Sequence, residues 1–128
     1  MKSVLVPIDA TSRSLDVLRA TVREGAGAIE RIELLSVQPL FNRHISRWIS
    51  RGVRDQWRAE RAAAALEPAK RIVEAAGIPY RTHVATGPAP AAIAATARNL
   101  RCDEIAQGAY GAVKPRSRKA LRPSVLTR

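Results

Sequence analysis

Hydrophobic positions along the chain switch repeatedly between a strand-like and a helix-like period. Val4-Leu5-Val6-Pro7-Ile8 is an unbroken apolar run, the pattern of a strand buried on both faces. Asp9-Ala10-Thr11-Ser12 follows, a cluster of residues that favour helix entry. Leu15, Leu18 and Val22 then recur at helical spacing, and the pattern stops at Gly25-Ala26-Gly27. Ile32 to Val37 reads as a second strand, closed by Pro39. Strand, helix and strand in this length make a βαβ unit.

From Arg43 to Ala76 the pattern predicts helix, with a break at Gly52 and a kink or division at Pro68. Ala65, Ala69, Ile72, Val73 and Ala76 form the expected buried face, and Gly77 ends the element. Tyr80 to Ala85 alternates in the manner of an edge strand with one wet face. Gly87-Pro88-Ala89-Pro90 opens a third helix that runs through Ala91 to Leu100. Asp103 to Gln107 is a short fourth strand, followed by Gly108-Ala109-Tyr110-Gly111. Alternating strands and helices predict an α/β domain, with a parallel sheet covered by helices on both faces.

Two segments carry a family resemblance. Val4-Leu5-Val6-Pro7-Ile8-Asp9, with Ala10-Thr11 after it, resembles the opening strand of universal stress proteins, which commonly reads V-P-x-D. Ile105-Ala106-Gln107-Gly108-Ala109-Tyr110-Gly111 resembles the family's exit from strand four, where G-x-x-G opens a phosphate loop. Gly87 with its following proline, and Ile93, also match the start of the family's third helix. The resemblance covers about Val4 to Gly111. It implies a doubly wound, Rossmann-like sheet of order 3-2-1-4-5. Ligands of such sheets sit outside the carboxyl ends of strands where the order reverses. In the family that ligand is ATP or another adenine nucleotide, together with its magnesium; no separate metal site is evident.

On that basis the nucleotide-binding residues are Pro7, Asp9, Thr11, Val37, Gly108, Gly111, Ser124 and Val125. Asp9 would accept hydrogen bonds from the base or ribose, and Val37 would contact the base. Gly108 and Gly111 would let backbone N–H groups approach phosphate. Asp9 also reads as an ordinary helix-entry acid, and the two glycines as plain turn residues.

Beyond Gly111 the pattern departs from the family. Nucleotide-binding members place G-S or G-T nine residues after G-x-x-G, where this chain has Leu121-Arg122. Pro123-Ser124-Val125 resembles the family's G-S-V with proline in place of glycine, and Leu121 and Val125 flank Ser124 as in the family. Alternatively, Arg122 to Leu126 corresponds to the proline-led fifth strand, with the last helix deleted. The first alignment lacks a complete fourth helix and the fifth strand, the second lacks the last helix, and either way part of the fold is missing. Residues 1–111 are therefore expected to be the α/β domain and 112–128 its basic, divergent tail. The result is a stress-response accessory domain with a weak or vestigial ATP site.

Charge adds a rival. The formal net charge is +11, of which 42–61 carries +4 and 112–128 carries +6. Arg43, Arg47, Arg51, Arg54, Arg58 and Arg61 recur at helical spacing, beside an apolar stripe of Ile45, Ile49, Val53 and Trp57. Because an apolar stripe needs burial, the spacing favours arginines in solvent and the stripe packed on the sheet or a partner chain. The alternative is a polyanion-binding module for nucleic acid or anionic lipid, built on 42–61 and 112–128. Family members commonly dimerise through strand five. A homodimer or another protein partner is expected here, and the stripe is a candidate for a dimer surface.

Nothing in the sequence marks an enzyme. Ser12 and Ser124 lack a histidine base oriented by an acid, and His44 and His83 match no metal-ligand spacing. Both histidines are expected at surface or edge positions. Cys102 is the one cysteine and reads as a small buried residue. No apolar run reaches the roughly 20 residues a membrane span needs, and the N-terminus does not read as a signal peptide. The expected location is cytoplasmic.

Overall fold

The computed structural model of the chain describes residues 1–25, 27–40 and 47–106. Their elements are β1 (Lys2–Pro7), α1 (Ser12–Glu24), β2 (Ile29–Gln38), α2 (Arg51–Ala76), β3 (Tyr80–Thr86), α3 (Ala89–Leu100) and β4 (Glu104–Ile105). The strands form one sheet in the order β3-β2-β1-β4, and every neighbouring pair is parallel. This is the predicted Rossmann-like arrangement.

Alternation along β1 divides the core into two layers. Val4, Val6 and Ile8 join Ile32 and Leu34 of β2 beneath Leu18 of α1 and Leu66, Ala69 and Val73 of α2. Leu5 and Leu35 face the other way, onto Ile93 and Ala97 of α3, with Cys102 and Ile105. The helices of the first two crossovers thus cover one face and α3 covers the other. The winding reverses between β1 and β4, which makes the carboxyl end of β1 the switch point of the sheet.

Local chemistry sets the boundaries. Gly25 closes α1 by donating its N–H to Thr21 O, and an added Cβ there would lie 2.5 Å from Ile29 Cδ1, so a larger residue would require Ile29 to shift. At the end of α2, Gly77 takes a left-handed φ of 72° and the N–H of Ile78 reaches back to Val73 O. That is the six-to-one bond of a Schellman ending.

Helix α2 corrects three expectations. It begins at Arg51 rather than Arg43, because Ser50 Oγ accepts the Val53 N–H and caps it. Gly52 therefore sits in the first turn instead of breaking a longer helix. Pro68 does not divide the element either, since Leu66 and Ala69 on either side of it are both seated on the sheet. The buried face is Ala62, Leu66, Ala69 and Val73; Ala65 is half-buried and Ala76 is exposed.

One polar cluster lies inside the sheet. Glu33 on β2 is fully buried. It accepts bonds from Arg81 Nε and Nη2 at 3.0 and 2.5 Å and from Arg31 Nε at 2.5 Å, and it pairs with His83 Nε2 at 2.7 Å. Burial alone would raise its carboxyl pKa, but Arg81, His83 and Arg31 outweigh that and hold it at about 2. His83 is on the edge strand as expected, yet it is half-buried and bound to Glu33 rather than a bare surface residue. The cluster fastens β3, the edge strand, to β2 through side chains as well as backbone.

Candidate functional site

β1 delivers its last residues to the switch point. Pro7 is buried as the final strand residue, and the Ile8 N–H continues the ladder to Leu35 O at 2.7 Å. The chain then turns sharply at Asp9. Oδ1 of Asp9 accepts the Thr11 N–H at 2.8 Å and the Thr11 hydroxyl at 2.5 Å. The N–H of Asp9 donates to Ser14 Oγ at 3.2 Å, and Ser14 Oγ donates to Thr11 O at 3.0 Å. Asp9 thus makes an Asx-type turn that holds the loop in one conformation.

This arrangement uses up the helix cap. Thr11 occupies the N-cap position of α1, but its hydroxyl is turned to Asp9 and makes no cap bond. The loop from Asp9 to Ser12 floors a cleft of about 430 Å³, walled by Leu15 of α1 and by Arg61, Ala64, Ala65 and Pro68 of α2. A second cleft of about 420 Å³ opens on Asp9, Thr11, Ser12 and Arg13. Val37 lies at the carboxyl end of β2, two residues beyond the partner of Pro7, and packs on the α3 side of the core. Next to it, Gln38 is buried; its Nε2 donates to Ser36 Oγ at 2.9 Å, while its Oε1 has no partner among the described residues.

Four predicted site residues, Pro7, Asp9, Thr11 and Val37, thus gather at the carboxyl ends of β1 and β2. Gly108, Gly111, Ser124 and Val125 lie outside the described residues. Sequence reasoning missed the α2 wall, because Arg61 was read only as part of an arginine stripe and Pro68 only as a helix breaker. It also missed Ser14, whose i+5 spacing from Asp9 was the available signal. Among the described residues, no group of three or more His, Cys, Asp or Glu could hold a metal ion.

The arginine stripe is not the expected solvated face. Arg47, Arg51 and Arg61 are exposed, but Arg54 and Arg58 are half-buried, and Arg58 Nε donates to Pro39 O at 3.2 Å. Val53 and Trp57 face solvent and Ile49 is half-buried, so Val53 and Trp57 do not pack on the sheet, one of the two placements expected for the stripe. A helical repeat fixes which residues share a face, and here core burial begins only at Ala62. Arg43, His44 and Ile45 lie outside the described residues. No described helix is long and apolar enough to cross a membrane.

A doubly wound parallel sheet with its cleft at the strand switch point defines the class. The model of the universal stress protein family matches residues 1–128, which includes the segment after Gly111 where the motif pattern departs. The chain belongs to the universal stress protein family. No curated protein matches it. Among solved structures, it is similar to a universal stress protein family member from Burkholderia pseudomallei, at 18% identity and a TM-score of 0.66, covering 81% of this chain and 78% of that one. A family protein from Arabidopsis thaliana, solved with AMP bound, aligns at 17% identity and a TM-score of 0.61, over 82% and 74% of the two chains. A universal stress protein in complex with cAMP aligns at 18% identity and a TM-score of 0.65, over 81% and 73%.

Proposed function

We propose that the chain is a stress-response accessory domain carrying a weakened adenine-nucleotide site at the carboxyl ends of β1 and β2. The observation that carries this is the Asp9 turn: a half-buried carboxylate held by Thr11 at the switch point, bordering two clefts. The AMP and cAMP complexes of two structurally similar proteins support the ligand class.

The residues present fit such a ligand in part. Asp9 supplies a preoriented acceptor for a base or ribose edge. Gln38 Oε1 is a buried acceptor without a partner among the described residues, the kind of group a bound ligand satisfies. The exposed first turn of α1 leaves backbone N–H groups without a side-chain cap. Gly108 and Gly111 would admit phosphate close to the backbone, and Ser124 with Val125 would complete the site. Pro123 does not fit. It has no N–H where the family has glycine, and losing one charge-assisted bond costs about 1.5–3 kcal/mol, roughly ten- to a hundredfold in affinity.

A calorimetric titration of ATP, with and without magnesium, tests the proposal on the parent chain and on Pro123→Gly. Weak binding by the parent that tightens at least about tenfold in the variant is the expected result. No binding by either protein would show the site to be vestigial.

A further inference from the structure

Helix α2 changes character along its length. From Ala62 onward it is a core helix, with Ala62, Leu66, Ala69 and Val73 seated on the sheet. Its first turns carry an apolar pair on the opposite side. Val53 and Trp57 are four residues apart, fall half a turn or so away from the buried face, and are 57% and 38% exposed. Trp48, in the turn just before the cap residue Ser50, is 78% exposed. The chain has two tryptophans, and both stand at this end of the helix.

Arg54 and Arg61, three residues before and four after Trp57, share its side of the helix. Arg47 and Arg51 are exposed, and Arg54 lies one turn before Trp57 with its Nε on Ser50 O at 3.4 Å. The guanidinium of Arg61 stacks over the Trp57 ring, 4.7 Å from its centroid. Exposed indoles and an aliphatic side chain among arginines match the boundary of an anionic bilayer, where rings settle at headgroup depth and guanidinium groups meet phosphates. Single-stranded nucleic acid needs open ring faces for stacking. One face of Trp57 is already covered by Arg61, and Val53 offers nothing to a base. A second copy of the same surface would set arginine against arginine.

We propose that the Trp48–Val53–Trp57 surface, with Arg47 and Arg54, docks this protein peripherally on anionic phospholipid membranes. The proposal is independent of the nucleotide site. Each arginine near an anionic surface contributes roughly fivefold to partitioning.

The test uses the full chain with phosphatidylglycerol–phosphatidylcholine vesicles and with vesicles of phosphatidylcholine alone. Sedimentation measures partitioning, and tryptophan emission reports directly on the surface. Binding and a blue shift are expected on the anionic vesicles only. Arg47→Glu with Arg54→Glu should weaken binding at least about thirtyfold, and Trp48→Ala with Val53→Asp should also release the protein. Arg54 is half-buried and the other substituted residues are exposed, and circular dichroism checks that both variants fold. Arg23→Glu with Arg71→Glu makes the same charge change elsewhere and should leave binding nearly intact. Equal loss in that control would overturn the proposal in favour of net charge alone. So would vesicles that leave the emission unmoved while a single-stranded oligonucleotide quenches it.

Discussion

Two acids, Glu33 on β2 and Asp9 in the turn just beyond β1, stand in contrasting surroundings. Glu33 is fully buried, and Arg31, Arg81 and His83 occupy its two oxygens. Nothing in its surroundings calls for a ligand. Asp9 is half-buried, its bonds to Thr11 fall on Oδ1 alone, and it borders open space. The contrast separates a charge that holds strands together from a charge that a fold presents. A buried carboxylate ringed by cations fastens strands; one that shapes its own loop at a strand end is, under the proposed function, offered to a ligand.

The largest expected effect is on the structural acid. Glu33→Gln removes the centre of the cluster, but its arginine partners are partly exposed and can turn to water. The cost should be about 3 kcal/mol, toward the low end for a broken buried pair, visible as a lowered midpoint in urea denaturation. A loss below about 1 kcal/mol would place Glu33 with ordinary surface pairs.

Acid should dissect the same cluster. The folded-state pKa of Glu33 is about 2 against an ordinary 4.5. Its contribution is therefore fully present above pH 4.5 and declines as pH falls toward 2. The amount at stake is about 3 kcal/mol, from 1.36 kcal/mol per pH unit. Stability measured from pH 5 downward should fall less steeply in Glu33→Gln than in the parent; parallel curves would remove Glu33 from the acid response.

Asp9→Ala should be gentler on stability, about 1 kcal/mol through loss of the turn bonds, while weakening any ATP binding about tenfold. Unchanged affinity would make Asp9 a turn residue only. The smallest effect sharpens the background. Arg101 ends α3 with a left-handed φ of 55°, a conformation that costs non-glycine residues about 1 kcal/mol. Arg101→Gly should raise stability by about 0.5–1 kcal/mol and leave ATP binding as it was.

Much of the fold was legible because each element announces itself locally. The apolar run of β1 is buried on both faces as predicted, and β3 is the edge strand that its alternation suggested. The order β3-β2-β1-β4 came through the family resemblance rather than through periodicity. What stayed hidden depends on distance in sequence. Glu33 meets Arg81 and His83 only because Glu33 pairs with Arg81, and Leu35 with His83, in the β2–β3 register. No local pattern encodes that. The start of α2 was missed because the Ser50 cap outcompeted a continuous-looking repeat. Periodicity joined Val53 to Trp57 but could not say which side of the helix meets the sheet. At the site, the Asp9–Thr11 cluster was legible as a strand exit, whereas the wall formed by Arg61 and Pro68 required packing α2 against α1.

The most direct test of the two-acid contrast is an ATP titration by calorimetry on the parent, Asp9→Ala and Glu33→Gln, under conditions where all three are folded. The account predicts that Glu33→Gln keeps the parent's affinity despite its lower stability, while Asp9→Ala loses most of it. Loss of affinity in Glu33→Gln with retention in Asp9→Ala would contradict the account.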